Sequence, residues 1–115
     1  GRVPANCTSL GKALLAFQDG PVLAEAGGQL PRLTRFSIGS PQLLERQLEE
    51  IRASKLSYGA EEALLGQVCV ATPILVGGRA VAAISLSARP RDPHLGKSIA
   101  ALQRAGRHIE RTLSM

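Results

Sequence analysis

The 115-residue chain has no tryptophan, one tyrosine and two phenylalanines. Its core must therefore be assembled from Leu, Val, Ile and Ala, and recognition of nucleic acid by stacking bases on aromatic rings is not expected. Cysteine is equally scarce. Cys7 and Cys69 lie far apart, show no CxxC spacing and have no clustered histidine near them, which indicates neither a zinc site nor a disulfide framework. Both thiols are expected to be reduced. No apolar run approaches the length of a membrane span and no signal peptide opens the chain, so a cytoplasmic protein with no membrane partner is the expectation. An initiating Met is missing too: the chain opens Gly1-Arg2-Val3-Pro4, as a piece of a longer protein would.

What is present fits one compact domain over residues 1–115, with 44% apolar residues and room for a single core. The formal net charge of +5 permits an anionic partner. Much of the excess falls late, as Arg89, Arg91, Lys97, Arg104, Arg107 and Arg111 against Asp92 and Glu110. On a helix such a run reads as a solvated face and not as a nucleic-acid patch.

Hydrophobic spacing divides the chain into elements. Thr8 or Ser9 can cap a helix whose stripe is Leu10, Ala13, Leu14 and Phe17, ending near Gln18 to Gly20. A short helix over Pro21 to Ala26 and a strand carrying Thr34, Phe36 and Ile38 follow. Ser40 as N-cap and Pro41 at the first helical position open a helix with Leu44, Leu48 and Ile51 on one stripe, reaching about Ser54. Val68 to Val76 and Arg79 to Ala88 read as a hairpin around Gly77-Gly78, with Pro73 demoting the first strand toward an edge or a bulge. Leu95, Ile99, Leu102, Gly106, Ile109 and Leu113 mark a final helix. Helix, strand, helix, hairpin, helix is the order of an α+β domain whose antiparallel sheet is covered by helices.

No constellation here carries catalysis. Gly11-Lys12 invites a phosphate-loop reading, but Asn6 and Ala13 stand where that motif needs Gly and Ser or Thr. The helix start itself offers free N–H groups to a carboxylate, or is simply a capped helix. His94 and His108 read as surface residues, and Glu61-Glu62 as solvated neighbours in a loop. Ser85 and Ser87, two apart on a strand, point to one face. They orient a ligand if that face is enclosed and mean nothing if it is open water.

Three stretches resemble the effector-binding domain of the IclR family of bacterial transcription regulators: Pro4 through Ala16 (PANCTSLGKALLA), Tyr58 through Pro73 (YGAEEALLGQVCVATP) and Val81 through Ser87 (VAAISLS). The resemblance implies a GAF-like or PAS-like fold, an antiparallel sheet flanked by helices. It further implies a winged helix-turn-helix domain and further strands before Gly1, absent from this chain, and contact with operator DNA only through that domain. The expected partners are a small-molecule effector, often a carboxylic or aromatic acid, and further copies in a dimer or tetramer. No cofactor, metal or catalytic residue is expected.

Carried onto this chain, the resemblance assigns effector binding to Ser9, Leu10 and Gly11 at the helix start and to Cys69, Ser85 and Ser87, with Tyr58, Gly59 and Val3 bordering the same space. Asn6 and Gly59 depart from the family pattern, which has His at the first and often an acidic residue at the second. The competing readings are a stand-alone GAF-like binding module acting through protein contacts and an enzyme acting on a small acid.

Strand parity sharpens the expectation. A two-residue Gly77-Gly78 turn sets Val70 opposite Ser85 and puts Cys69 on the other face. A three-residue loop of Val76, Gly77 and Gly78 sets Cys69 directly opposite Ser85 on one face, and a bulge at Pro73 has the same effect, so that Cys69, Ser85 and Ser87 converge. The pocket implied by the resemblance requires the second arrangement.

Overall fold

The computed structural model describes residues 8–17, 34–36, 40–61 and 65–114. The described elements are α1 (Ser9–Ala16), α2 (Pro41–Ser54), β1 (Ser57–Ala60), β2 (Val68–Val76), β3 (Arg79–Ala88) and α3 (Leu95–Leu113). They form an α+β domain in which an antiparallel sheet of order β1-β2-β3 is flanked by helices.

The helix boundaries follow from capping chemistry. Thr8 keeps an extended backbone and its hydroxyl accepts from the Gly11 N–H at 2.9 Å, which starts α1. Ser40 does the same for α2, with Pro41 supplying its preset φ at the first position. Lys55, at φ 60°, closes α2 in the left-handed conformation and donates its N–H to the Ile51 carbonyl at 2.7 Å. Leu44, Leu48 and Ile51 point inward as expected and pack with Ala16 into one apolar cluster between α1 and α2.

Three sequence expectations are corrected. The α1 stripe of Leu10, Ala13, Leu14 and Phe17 is not the buried one: Ser9, Lys12, Ala13 and Ala16 face inward, while Leu10 and Leu14 are exposed. The small Ser9, Ala13 and Ala16 let this short helix lie close on the sheet, and that close packing outweighs the hydrophobicity of the two leucines. Thr34 to Phe36 form a turn and not a strand; the Thr34 hydroxyl accepts from the Phe36 N–H at 3.0 Å, a local bond that competes with strand pairing. Pro73 is in neither an edge strand nor the bulge. β2 is the central strand, and Val70 through Ile74 are all buried, covered on both faces. β1 pairs with β2 only as far as Ala71, so among the described residues no strand lies beside Pro73 on that side. The helix expected over Pro21 to Ala26, and Ile38, lie outside the described residues.

Gly77 and Gly78 make the hairpin turn with φ of 62° and 79°, the pair of positive values a two-residue type I′ turn needs. α3 covers the face of the sheet that carries Val70, Thr72 and Ile74. Gly106 makes this possible: a Cβ there would stand 2.9 Å from Thr72 Cγ2. The late helix otherwise matches its expected limits, with Leu102 and Gly106 buried and Leu113 exposed.

Candidate functional site

The candidate site begins with strand parity, because it decides which side chains can meet. Val76 pairs with Arg79 and Leu75 with Ala80, as a two-residue turn dictates. Ile74 then pairs with Ala82, so Val81 has no partner and the register slips by one residue. Beyond that bulge Ala71 stands opposite Ser85 and Cys69 opposite Ser87. The turn is therefore not the expected three-residue loop, the bulge lies in β3 at Val81 and not at Pro73, and Cys69 stands opposite Ser87 and not Ser85; even so, Cys69, Ser85 and Ser87 share one face. Cys69 Sγ and Ser87 Oγ are 3.4 Å apart, within reach of a sulfur–hydroxyl hydrogen bond.

β1 extends this face. Ser57 pairs with Ala71 and Gly59 with Cys69, which gives two cross-strand rows, Ser57–Ala71–Ser85 and Gly59–Cys69–Ser87. Both rows are made of small residues, polar and apolar. α1 packs on all three strands and covers the face opposite α3. Coverage is uneven, since Ser57, Gly59 and Ala71 are buried, Cys69 is half-buried, and Ser85 and Ser87 are exposed.

Not every expected site residue joins this group. Tyr58 pairs with Val70 and so points to the other face, where it is 49% exposed and lines a cleft of about 410 Å³ with Gln47, Glu50, Ile51 and Leu56. The one-residue parity of β1 separates it from Cys69. The Gly11 N–H is engaged by Thr8, which leaves the amides of Ser9 and Leu10 at the helix start. Leu10 is 39% exposed at the rim. Val3 and Asn6 lie outside the described residues.

Two features had escaped the sequence reading. Lys12 is completely buried, and its ammonium donates to Gln47 Oε1 at 2.9 Å and to the Tyr58 carbonyl at 2.6 Å, tying α1 to α2 and β1. A lysine four residues from a helix cap gives no sequence signal of burial. The hydroxyls of Ser9 and Ser57 are also buried, and neither has a hydrogen-bond partner among the described residues. A buried hydroxyl left unpaired costs about 1 to 3 kcal/mol. The alternation Ser57-Tyr58-Gly59-Ala60 was too short to reveal a strand.

Among the described residues no group of three or more His, Cys, Asp or Glu could hold a metal ion, and no helix is long and apolar enough to cross a membrane.

Comparison with known proteins agrees with this architecture. Residues 1–111 match the family model described as the bacterial transcriptional regulator IclR C-terminal domain. The Pca operon regulatory protein of Acinetobacter baylyi is 38% identical over 88 residues, covering 74% of this chain and 32% of that protein. The chain thus spans about a third of the length of the curated relatives it matches. The C-terminal domain of the Escherichia coli transcriptional regulator KdgR superposes with a TM-score of 0.86 at 27% identity, covering all of this chain and 74% of that one. The double mutant of the PobR inducer-binding domain from Acinetobacter, in complex with 3-hydroxybenzoic acid, gives a TM-score of 0.83 at 27% identity, covering 96% of this chain and 67% of that one. With the match running over nearly its whole length, the chain belongs to the family of IclR C-terminal domains of bacterial transcriptional regulators.

Proposed function

We propose that this chain is the effector-sensing part of a transcription regulator and binds a small organic acid of the monocyclic aromatic class. Occupancy of the site would then change operator binding by a winged helix-turn-helix domain elsewhere in the full-length protein. The supporting observation is the convergence of Cys69, Ser85 and Ser87 on the sheet face that α1 covers. The unpartnered hydroxyl of Ser9 stands at the start of that helix. Helix-start amides and hydroxyls suit a carboxylate, while Cys69 and Leu10 offer apolar wall to a ring. A related inducer-binding domain in complex with 3-hydroxybenzoic acid favours the aromatic class.

A thermal-shift screen of organic acids tests this. An effector at a hundredfold excess over its dissociation constant adds about 2.7 kcal/mol of stability. Ser85→Ala and Ser87→Ala each weaken its binding by about 1 to 3 kcal/mol without loss of fold. A screen in which no carboxylic acid stabilises the protein, or unchanged affinity in both variants, removes the site as drawn.

Self-association belongs to the same reading. β3 is an edge of the described sheet and exposes Val81 beside the bulge, so it offers an unpaired strand to another chain or segment. Sedimentation at dilute concentration is expected to show dimers or larger species, and a strictly monomeric protein would count against it.

A further inference from the structure

On the other side of the sheet, where the end of α2, the central strand β2 and α3 meet, the fold leaves a cavity of about 220 Å³. Thr72 and Gly106 form its buried wall, Gln103 and Glu110 line it half-buried, and Lys55 and Arg107 line it from exposed positions. The space is smaller than the ~300 Å³ at which pockets for drug-sized ligands begin, so it suits a small metabolite.

The polar groups around this cavity do not satisfy one another. Neither the Lys55 ammonium nor the Arg107 guanidinium has an ion-pair partner among the described residues. Glu110 follows Arg107 by three residues, but its Oε1 accepts the Leu75 N–H at 3.0 Å, and its Oε2 has no hydrogen-bond partner among the described residues. The Thr72 hydroxyl donates to the Lys55 carbonyl at 2.9 Å and so keeps only acceptor capacity. The cavity thus offers two cations to anionic groups and two acceptors to a donor. A plain dicarboxylate answers the cations and brings nothing for Glu110 except repulsion. A dicarboxylate that also carries an ammonium answers both, through charge-assisted hydrogen bonds.

We propose that this cavity is an accessory site for a small amino dicarboxylic acid. Its carboxylates pair with Lys55 and Arg107, and its ammonium donates to Glu110 Oε2. The site is separate from the effector face: Thr72 lines the cavity, whereas Ala71, one residue before it on β2, belongs to the row with Ser57 and Ser85. Glu110 joins the two, because it also fastens Leu75 beside the bulge.

Titration with aspartate, malate and succinate, followed by the amide resonances of the protein, tests the assignment. The three probes share both carboxylates and differ in one group, an ammonium, a hydroxyl or a hydrogen. Aspartate is expected to bind most tightly, malate less so, and succinate about tenfold or more below aspartate, with shifts at Thr72, Leu75 and Gly106. Lys55→Gln and Arg107→Gln each weaken aspartate by about tenfold and leave the denaturation midpoint in place, since both side chains are exposed. Glu110→Gln, which keeps an acceptor for Leu75, narrows the gap between aspartate and succinate. The site is overturned if aspartate does not bind, if succinate binds as tightly, or if both cation variants keep full affinity. Aspartate shifts confined to Cys69, Ser85 and Ser87 overturn it as well, by placing the acid on the effector face.

Discussion

The backbone N–H of Leu75 donates to Glu110 Oε1 at 3.0 Å, at the step where the pairing of β2 with β3 slips by one residue. A carboxylate on α3 thus fastens the strand position next to the bulge that turns Cys69, Ser85 and Ser87 to one face. The two residues are 35 apart in sequence.

Glu110→Ala is therefore expected to cost about 1 to 2 kcal/mol, the scale of a partly exposed hydrogen bond to a charged group. Chemical denaturation measures the loss. Amide exchange should quicken first in the turn-proximal half of the hairpin, from Ile74 to Ala82. Glu110→Gln keeps an acceptor and should retain most of the protection. Equal exchange across the hairpin in all three proteins would show that the bulge is held without Glu110.

Gly106→Ala tests the approach of α3 to the sheet. The new Cβ meets Thr72 Cγ2 at 2.9 Å, and the Thr72 side chain is held by donation from its hydroxyl to the Lys55 carbonyl at 2.9 Å. Moving the helix is expected to cost about 1 to 3 kcal/mol, read as a lowered denaturation midpoint. Thr72→Ser removes the offending methyl and keeps the hydroxyl, so the double variant should recover part of the loss. Strict additivity of the two changes would rule out the steric account.

Lys12→Met should destabilise by about 2 kcal/mol, since it leaves the Tyr58 carbonyl and the Gln47 side chain without their ammonium donor in a buried setting. Equilibrium unfolding gives the magnitude. Exchange of the β1 amides should report a loosened contact with α1. A variant as stable as the unaltered protein would show that water replaces the ammonium at no cost.

The basic side of α3 is not expected to bind DNA. Arg104, Arg107 and Arg111 are exposed on a helix whose opposite side, with Leu102 and Gly106, is buried against the sheet. Fluorescence anisotropy with duplex DNA at physiological salt should show no binding of the tightness specific readers reach, about 10⁻⁸ M. Binding at that level would move the DNA-contacting role onto this chain.

Local chemistry made much of this domain legible. Ser40-Pro41 and the Leu44, Leu48, Ile51 spacing define α2, the four-three alternation from Leu95 to Leu113 defines α3, and Gly77-Gly78 between β-rich runs defines the hairpin. Each signal is complete within about one to five turns of chain, so no distant contact is needed to recognise it. Three stretches of residues carried the family resemblance in the same way.

The candidate site was legible as residue types and not as geometry. Which serines share a face with Cys69 depends on a single unpaired residue, Val81, and a one-residue slip inverts a whole strand. Composition around the turn supported either parity, and the structure places Glu110, far along the chain, at the slip. Local sequence was enough to place α1, α2, the hairpin and α3 in order and to show the family, because capping, turn and periodicity are local properties; it missed β1 and misread Thr34 to Phe36. Only the tertiary structure decided that Lys12 is buried, that Tyr58 faces away from Cys69 and that Ser57 stands unpaired beneath the same face as Ser85. Burial and strand parity are set by what lies across the sheet, and no short stretch of sequence contains that partner.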